Sequence, residues 1–173
     1  MRPTERPDVQ ETATGAGSFG PRLAASLPRL RRFARALTRH AADADDLVQI
    51  ALERALEHQG QWRADSSLEG WIFGIIKNAW IDELRRRKRG AAVFAPEEAG
   101  AHVGERSAES HATALSVQQA MERLPDEQRL AVALVLVEGL SYKEAADVME
   151  VPIGTLTSRL ARAREALMNM LGP

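Results

Sequence analysis

Residues 141–165 read SYKEAADVMEVPIGTLTSRLARARE and are typical of two helices joined by a tight turn. Glu144 follows Ser141 by three residues, the spacing of a capping box, in which each side chain satisfies a backbone N–H left free at a helix start. Pro152 suits the first turn of the next helix because its missing N–H costs nothing there, although Val151 before it is a poor N-cap. The segment therefore predicts a helix-turn-helix.

The second of these helices has an apolar face and a polar face. Leu156, Leu160, Ala163 and Leu167 recur at helical spacing and are expected to face the core. In this motif the N-terminal part of the second helix enters the major groove, where hydroxyls and arginines can contact base edges and phosphates. A solvated surface helix is the alternative for the arginines alone. We predict a DNA-binding face that comprises Thr155, Thr157, Ser158, Arg159, Arg162 and Arg164.

The composition is that of an ordinary soluble protein. Of its 173 residues, 45% are hydrophobic and 27% are charged, which fits one domain or two small ones. No apolar run approaches the ~20 residues that cross a bilayer, and the N-terminus lacks the apolar core of a signal peptide. We therefore expect a cytoplasmic protein without membrane insertion. Because the chain has no cysteine and its four histidines are scattered, we expect neither a metal site nor a cofactor.

The net charge of -1 conceals an uneven distribution along the chain. Residues 20–89 hold fourteen Lys and Arg against nine Asp and Glu, residues 90–112 hold one against four, and residues 113–173 hold six against eight. The positive charge is therefore concentrated in the N-terminal part, which suits a polyanionic partner.

The hydrophobic pattern predicts an all-α protein of two small helical domains joined by a flexible linker. Residues 1–20 lack periodicity and have the composition of a disordered arm. Residues 21–89 predict three helices, residues 90–112 have linker composition, and residues 113–173 predict four short helices that share a Leu/Val core. No segment has the alternating pattern of a strand.

The first predicted domain offers two polar surfaces. On its second helix, an acidic strip of Asp46, Gln49 and Glu53, with Asp45 at its start, lies opposite the apolar stripe. A polar loop then carries Trp62, which either covers the core or stacks on an unpaired base. The arginines of residues 85–89 either complement the helix dipole or contact phosphates. The candidate DNA-contacting residues here are Trp62, Arg63, Asp65, Ser66, Ser67, Lys77, Asn78 and Arg85.

Several motifs together resemble those of the extracytoplasmic-function (ECF) group of bacterial RNA polymerase sigma factors. The resemblance covers about residues 22–171, and it rests on Asp45-Asp-Leu-Val-Gln49, Trp71-Ile-Phe-x-Ile-x-Lys-Asn78 with Asp82, Leu124-Pro-x-Glu-Gln-Arg129, Gly139-Leu-Ser-Tyr-x-Glu-Ala-Ala146 and Pro152-Ile-Gly-Thr-Leu-Thr-Ser-Arg159. Members consist of two helical domains and a linker.

The resemblance implies partners and roles for the candidate residues. It implies that the first domain binds the β′ clamp helices of core RNA polymerase through Asp45, Asp46, Gln49 and Glu53, and opens the promoter minus-10 element. The loop of residues 62–67 would capture a flipped base. Flipping costs a few kcal/mol of unstacking energy, which contacts between the loop and the base must offset. The second domain would bind the β flap and read the minus-35 element. The resemblance also implies a nucleoid-associated location and an inhibitory anti-sigma factor.

Three positions depart from the pattern of this group. Ile50 stands where many members carry an acidic residue, which alters the expected clamp contact. Thr157 and Ala161 replace residues that are often larger or basic, so the minus-35 sequence cannot be copied from relatives.

Other classes of function fit the sequence less well. A sigma-like decoy that sequesters an anti-sigma factor is usually fused to a receiver domain, for which 173 residues leave no room. A helix-turn-helix repressor would have no use for the acidic strip and the tryptophan loop. An enzyme ranks last, because no cluster of nucleophile, base and orienting group is visible.

Overall fold

The computed structural model describes residues 16–93 and 108–172, which form seven α-helices and no strand. The prediction of an all-α protein is therefore confirmed for this part of the chain. The helices of the N-terminal half (residues 16–93) are α1 (Ala16–Leu37), α2 (Ala41–Glu57) and α3 (Leu68–Val93), with a 3-10 turn at Gln59–Gln61. Those of the C-terminal half (residues 108–172) are α4 (Ala108–Arg123), α5 (Asp126–Val132), α6 (Tyr142–Met149) and α7 (Ile153–Leu171), with a π-helical segment at Ala133–Val137.

Helix α1 begins earlier than the sequence pattern predicts. It starts at Ala16, within the segment of residues 1–20 that we expected to be a disordered arm, and Phe19 is only 2% exposed. The Phe19 ring packs against Trp62, with 5.8 Å between ring centroids. The apolar contact stabilises this first turn, so residues 16–20 belong to the fold, while residues 1–15 lie outside the described part.

The segment between α3 and α4 is shorter than the linker of residues 90–112 that we predicted. Helix α3 continues to Val93, and α4 already begins at Ala108. The arginine-rich end of α3 is held by carboxylates: Arg87 donates to Glu83 and to Asp43 of α2, at 2.7 and 2.9 Å. These ion pairs let the helix extend past the point where its apolar periodicity ends.

The N-terminal half is a three-helix bundle around aromatic and branched side chains. Phe33 of α1 and Phe73 of α3 are fully buried, and their ring centroids lie 4.6 Å apart. Helix α3 starts at Leu68 because the Ser67 hydroxyl oxygen accepts a hydrogen bond from the Gly70 N–H, at 3.1 Å. This bundle presents α2 and the loop before α3 to solvent.

The helix-turn-helix of the C-terminal half has the predicted caps. The Ser141 hydroxyl accepts from the Glu144 N–H at 3.2 Å, and the Ser141 N–H donates to the Glu144 carboxylate at 2.8 Å, which is the predicted capping box. Gly139, at φ 72°, closes the preceding helical segment in the left-handed conformation that glycine tolerates. Our assignment of Val151 as the next cap was wrong, because Pro152 is the N-cap of α7.

The two halves pack against each other rather than standing apart. Their buried side chains form one continuous core, with α1 against α5 and the π-helical segment, and α3 against α6. At one edge, Arg129 and Gln118 donate to the Leu37 and Thr38 carbonyls at the C-terminal end of α1, at 3.1 and 3.2 Å. The sequence pattern predicted two domains but not this contact.

Candidate functional site

Helix α7 presents the predicted DNA-binding face to solvent. Leu156, Leu160 and Ala163 are buried, whereas Thr157, Ser158, Arg162 and Arg164 are exposed and Thr155 is half-buried. The Thr157 and Ser158 hydroxyls donate to the carbonyls of Ile153 and Gly154, at 2.9 and 2.8 Å, which leaves their oxygens free to accept.

The arginines of α7 differ in their availability. Arg159 is 21% exposed and forms an ion pair with Glu127 of α5 at 2.7 Å. Within the described residues, neither Arg162 nor Arg164 has an ion-pair partner. At about 100° per residue, Arg162 shares a stripe with Thr155 and Ser158, while Arg164 lies on the opposite flank beside Thr157. The predicted residues therefore form two groups on α7. Thr155, Ser158 and Arg162 make up one, and Thr157 and Arg164 make up the other. Arg159 is held in its ion pair with Glu127.

The loop before α3 is ordered by its own polar groups. Arg63 donates to the Asp65 carboxylate at 3.0 and 3.2 Å, and the Ser66 hydroxyl donates to the Arg63 carbonyl at 2.7 Å. These side chains, together with Ser67, are exposed. The loop is thus a preformed polar surface at the N-terminal end of α3.

Trp62 does not take part in that surface. Its side chain lies in the core against Phe19, which also contacts Trp71, and the Arg22 guanidinium lies 4.7 Å from the Trp62 ring centroid. The indole N–H has no hydrogen-bond partner among the described residues. Of the two roles that the sequence left open, the structure places Trp62 in the one that covers the core, so the expected stacking on a base does not hold in this conformation.

The two residues expected beside the loop on α3 have different surroundings. Lys77 is 4% exposed, and its ammonium group donates to the Glu150 carboxylate at 2.5 Å. This hydrogen bond lowers the pKa of Glu150 below its usual range. Asn78 is exposed, as is Arg85, which lies 3.8 Å from Asp82. Lys77 is therefore neutralised by the C-terminal half, whereas Asn78 and Arg85 remain accessible.

A cleft of about 780 Å³ separates the loop and α3 from α6. Ser66, Ser67, Lys77 and Asn78 line its N-terminal side. Its other wall carries the carboxylates of Glu144 and Asp147 in α6 and of Glu150 at the α6 C-cap. One wall of the cleft is therefore acidic.

The acidic strip lies on one exposed face of α2. Asp45, Asp46, Gln49 and Glu53 are all exposed, and Gln49 donates to Glu53 at 3.2 Å. Ile50, 37% exposed, lies next to the strip and lines a second cavity of about 720 Å³ with Asp46, Leu47 and Trp80. The strip is a rigid acidic surface with an apolar border.

Two buried charged residues were missed by the sequence reasoning. Arg129 is 5% exposed and donates to four backbone carbonyls, and burial lowers its pKa. Glu138, 6% exposed, accepts hydrogen bonds from Arg29 and Arg32 of α1. The burial of Glu138 could have been predicted, because this glutamate directly follows the apolar run ALVLV of residues 133–137.

Neither a membrane span nor a metal cluster occurs among the described residues. No helix there is long and apolar enough to cross a membrane. In the same ranges, no group of three or more His, Cys, Asp or Glu side chains is arranged to hold a metal ion.

Comparison with known proteins gives matches over both halves. The family described as "Sigma2 domain of PhyR" matches residues 23–77, and "Sigma-70, region 4" matches residues 114–167. ECF RNA polymerase sigma factor SigM of Mycobacterium tuberculosis is 42% identical over 144 residues, 83% of this chain and 72% of SigM. ECF RNA polymerase sigma factor EcfG of Rhodopseudomonas palustris is 34% identical over 149 residues, 86% of this chain and 82% of EcfG.

A solved structure matches the fold across both halves. The sigma factor RpoE of Bartonella quintana, in complex with the anti-sigma factor NepR, superposes with a TM-score of 0.77 and 31% identity, covering 90% of this chain and 98% of RpoE. The region 4 match covers the helix-turn-helix, and the sequence identities and this superposition extend the likeness over both halves. The chain belongs to the ECF group of RNA polymerase sigma factors.

Proposed function

We propose that this chain is an alternative sigma factor that binds core RNA polymerase and directs initiation at promoters with minus-35 and minus-10 elements. Sigma factors are transcription regulators that act on RNA polymerase in the cell interior; we infer that this one has no catalytic activity and works at the nucleoid. The observation that carries the proposal is the exposed face of α7, with the free side chains of Arg162 and Arg164.

The geometry of α7 supports minus-35 binding. A helix in the major groove has a phosphate backbone on each side, and Arg162 and Arg164 lie on opposite flanks of the exposed face. The hydroxyls of Thr157 and Ser158 lie nearer the middle of that face. We propose that the arginines contact phosphates, that the hydroxyls contact base edges, and that Arg159 joins them when its pair with Glu127 opens.

The N-terminal half supports the other two contacts. The acidic strip on α2 has the charge and exposure to bind the basic β′ clamp helices, and Ile50 would add an apolar contact at its border. Ser66, Ser67 and Asn78 offer hydrogen-bonding groups to an unpaired minus-10 base. We also propose that the C-terminal half binds the β flap of core RNA polymerase.

An anti-sigma factor is the inhibitory partner that we propose. The superposition covers 90% of this chain on a sigma factor that was crystallised with NepR. We therefore propose that a protein similar to NepR binds and inhibits this chain.

Run-off transcription tests the proposed function. Core polymerase with this chain should give discrete transcripts from promoters recovered by genome-wide mapping of the bound chain. Arg162→Ala should reduce those transcripts, while Arg31→Ala, an equal charge loss on an exposed face of α1, should not. Absence of any transcript from all mapped sites would refute the proposal.

A second candidate is the decoy that binds an anti-sigma factor without transcribing. The match of residues 23–77 to the sigma2 domain of PhyR favours it. The two candidates differ in one measurement: a decoy would bind the anti-sigma factor but would fail to bind core polymerase in a pull-down.

A further inference from the structure

Glu138 is a buried carboxylate that joins the two halves. It follows the π-helical segment, and its side chain has 0% exposed surface. Its two carboxylate oxygens accept from Arg32 Nε and Nη2, both at 2.9 Å. Arg29 donates from Nε to the carboxylate at 3.2 Å and from Nη2 to the Glu138 carbonyl at 3.0 Å. The proposed promoter and polymerase contacts use none of these three residues.

The geometry of this cluster makes it stronger than a surface ion pair. The paired bonds from Arg32 are bidentate, and they are charge-assisted. A carboxylate without solvent contact needs such donors, because leaving it unpaired in the core is costly. Glu138 also raises the pKa of Arg32 through its hydrogen bond and its charge. The two arginines belong to α1, so these hydrogen bonds exist only while the halves stay together.

The cluster lies at the edge of the cleft. The Arg29 guanidinium lies 5.7 Å from the Phe73 ring centroid on α3, and Arg29 lines the cleft together with Asn78 and Gly139. Glu150, the C-cap of α6, also lines the cleft and accepts a hydrogen bond from the Lys77 ammonium group at 2.5 Å. The contacts of Glu138 and Glu150 therefore fix α6 over the predicted minus-10 surface.

This arrangement is unfavourable for a nucleic acid strand in the cleft. Its phosphates would face the carboxylates of Glu144, Asp147 and Glu150, and like charges at short range repel. The cations that line the cleft are Arg29, Arg54 and Lys77, and two of them are already paired, Arg29 with Glu138 and Lys77 with Glu150. Asn78 and the loop are exposed to solvent, but a strand that occupies the cleft beside them avoids these carboxylates only if α6 moves away.

We propose that Arg29, Arg32 and Glu138 form an interdomain clamp that holds the free chain closed, and that the clamp must open before the minus-10 surface accepts DNA. The inference rests on the proposed function, since it assigns that surface to minus-10 DNA. The chain thus carries its own inhibitory contact, which requires no bound anti-sigma factor. Binding to core polymerase, which must separate the halves to reach two promoter elements, would supply the energy for opening.

A distance measurement on the whole chain in the absence of any partner tests the clamp. The chain has no cysteine, so Gln59→Cys and Asn169→Cys place one spin label on each half at exposed positions. Double electron–electron resonance should give one narrow distance distribution for the chain with native Glu138. Glu138→Gln should add a longer, broader population and raise the ratio of open to closed chains by about tenfold or more.

Two further variants make the result decisive. Glu57→Gln makes the same substitution at an exposed position on α2 that has no assigned role, and it should leave the distribution unchanged. Arg32→Gln leaves the core of the C-terminal half intact and should shift the distribution in the same direction as Glu138→Gln, which covers the case in which the latter unfolds that half. If Arg32→Gln keeps the native distribution, or if the native chain is already open, the clamp is refuted.

The outcomes also separate the clamp from the proposed function. Opening of the variants together with run-off transcription by the native chain supports both. Opening without transcription from any mapped promoter supports the clamp and refutes the sigma activity. A distribution that no variant changes refutes the clamp, whatever the transcription assay shows.

Discussion

Replacement of Arg162 and Arg164 by alanine should weaken DNA binding in a way that depends on salt. Both side chains are exposed, and neither has an ion-pair partner in the part of the chain that the structure describes. Each is therefore free to replace one counterion on the DNA backbone. The variant should fold normally, since a surface substitution of this kind changes the free energy of unfolding by only about 0.5 kcal/mol.

The magnitude follows from counterion release. Each phosphate that an arginine neutralises contributes about 0.9 to the slope of log K against log salt concentration. Loss of two contacts lowers the slope by about 1.8. Between roughly 50 and 200 mM salt, the native chain should therefore lose about twelvefold more affinity than the double variant.

Fluorescence anisotropy with a labelled duplex, titrated at several salt concentrations, measures this slope. Because phosphate contacts do not depend on sequence, the assay works before the natural promoters are known. The matched control is Arg31→Ala with Arg35→Ala, which removes the same charge from an exposed face of α1. An unchanged slope in the α7 variant, or an equal decrease in the α1 variant, would refute the assignment of the α7 face.

Two further predictions concern the helix-turn-helix. Glu127→Gln should raise duplex affinity because it frees Arg159 from its 2.7 Å contact. The increase should be about two- to fivefold, which corresponds to the free energy of an exposed ion pair. Fluorescence anisotropy would measure the change, and weaker binding would contradict the prediction. Ser141→Ala should lower the free energy of unfolding by about 1 kcal/mol in urea titrations. The Ser141 hydrogen bonds lower the pKa of Glu144, so this stabilisation should be present above the ordinary glutamate pKa of about 4.3 and lost as pH falls through the lower folded value. A difference between the native chain and the variant that grows in acid would show that the capping box does not act as described.

The sequence predicted the local features of the fold well. The capping box at Ser141 and the closure at Gly139 depend on residues within a few positions of each other, so spacing alone identifies them. The exposed strip on α2 and the exposed side chains on α7 follow from helical periodicity in the same way. Periodicity tells which face of a helix is apolar, and that face is buried in each case.

Features that depend on distant residues could not be predicted. Trp62 is buried because Phe19 of α1 lies against it, and Phe19 stands in the segment of residues 1–20 that lacks helical periodicity. The burial of Lys77 depends on Glu150, which is 73 residues away in sequence. Trp62 stands in a polar loop and Lys77 in an apolar helix, and in both cases the packing of other helices decides whether the side chain reaches solvent.

Promoter melting in the presence of core polymerase tests the central claim most directly. Permanganate probing of a mapped promoter should show reactive minus-10 thymines only when core polymerase and this chain are both present. The reactivity should fall when Asn78 is replaced by alanine, and Arg31→Ala should leave it unchanged. If the thymines stay protected with both proteins bound, the chain is not a promoter-opening sigma factor.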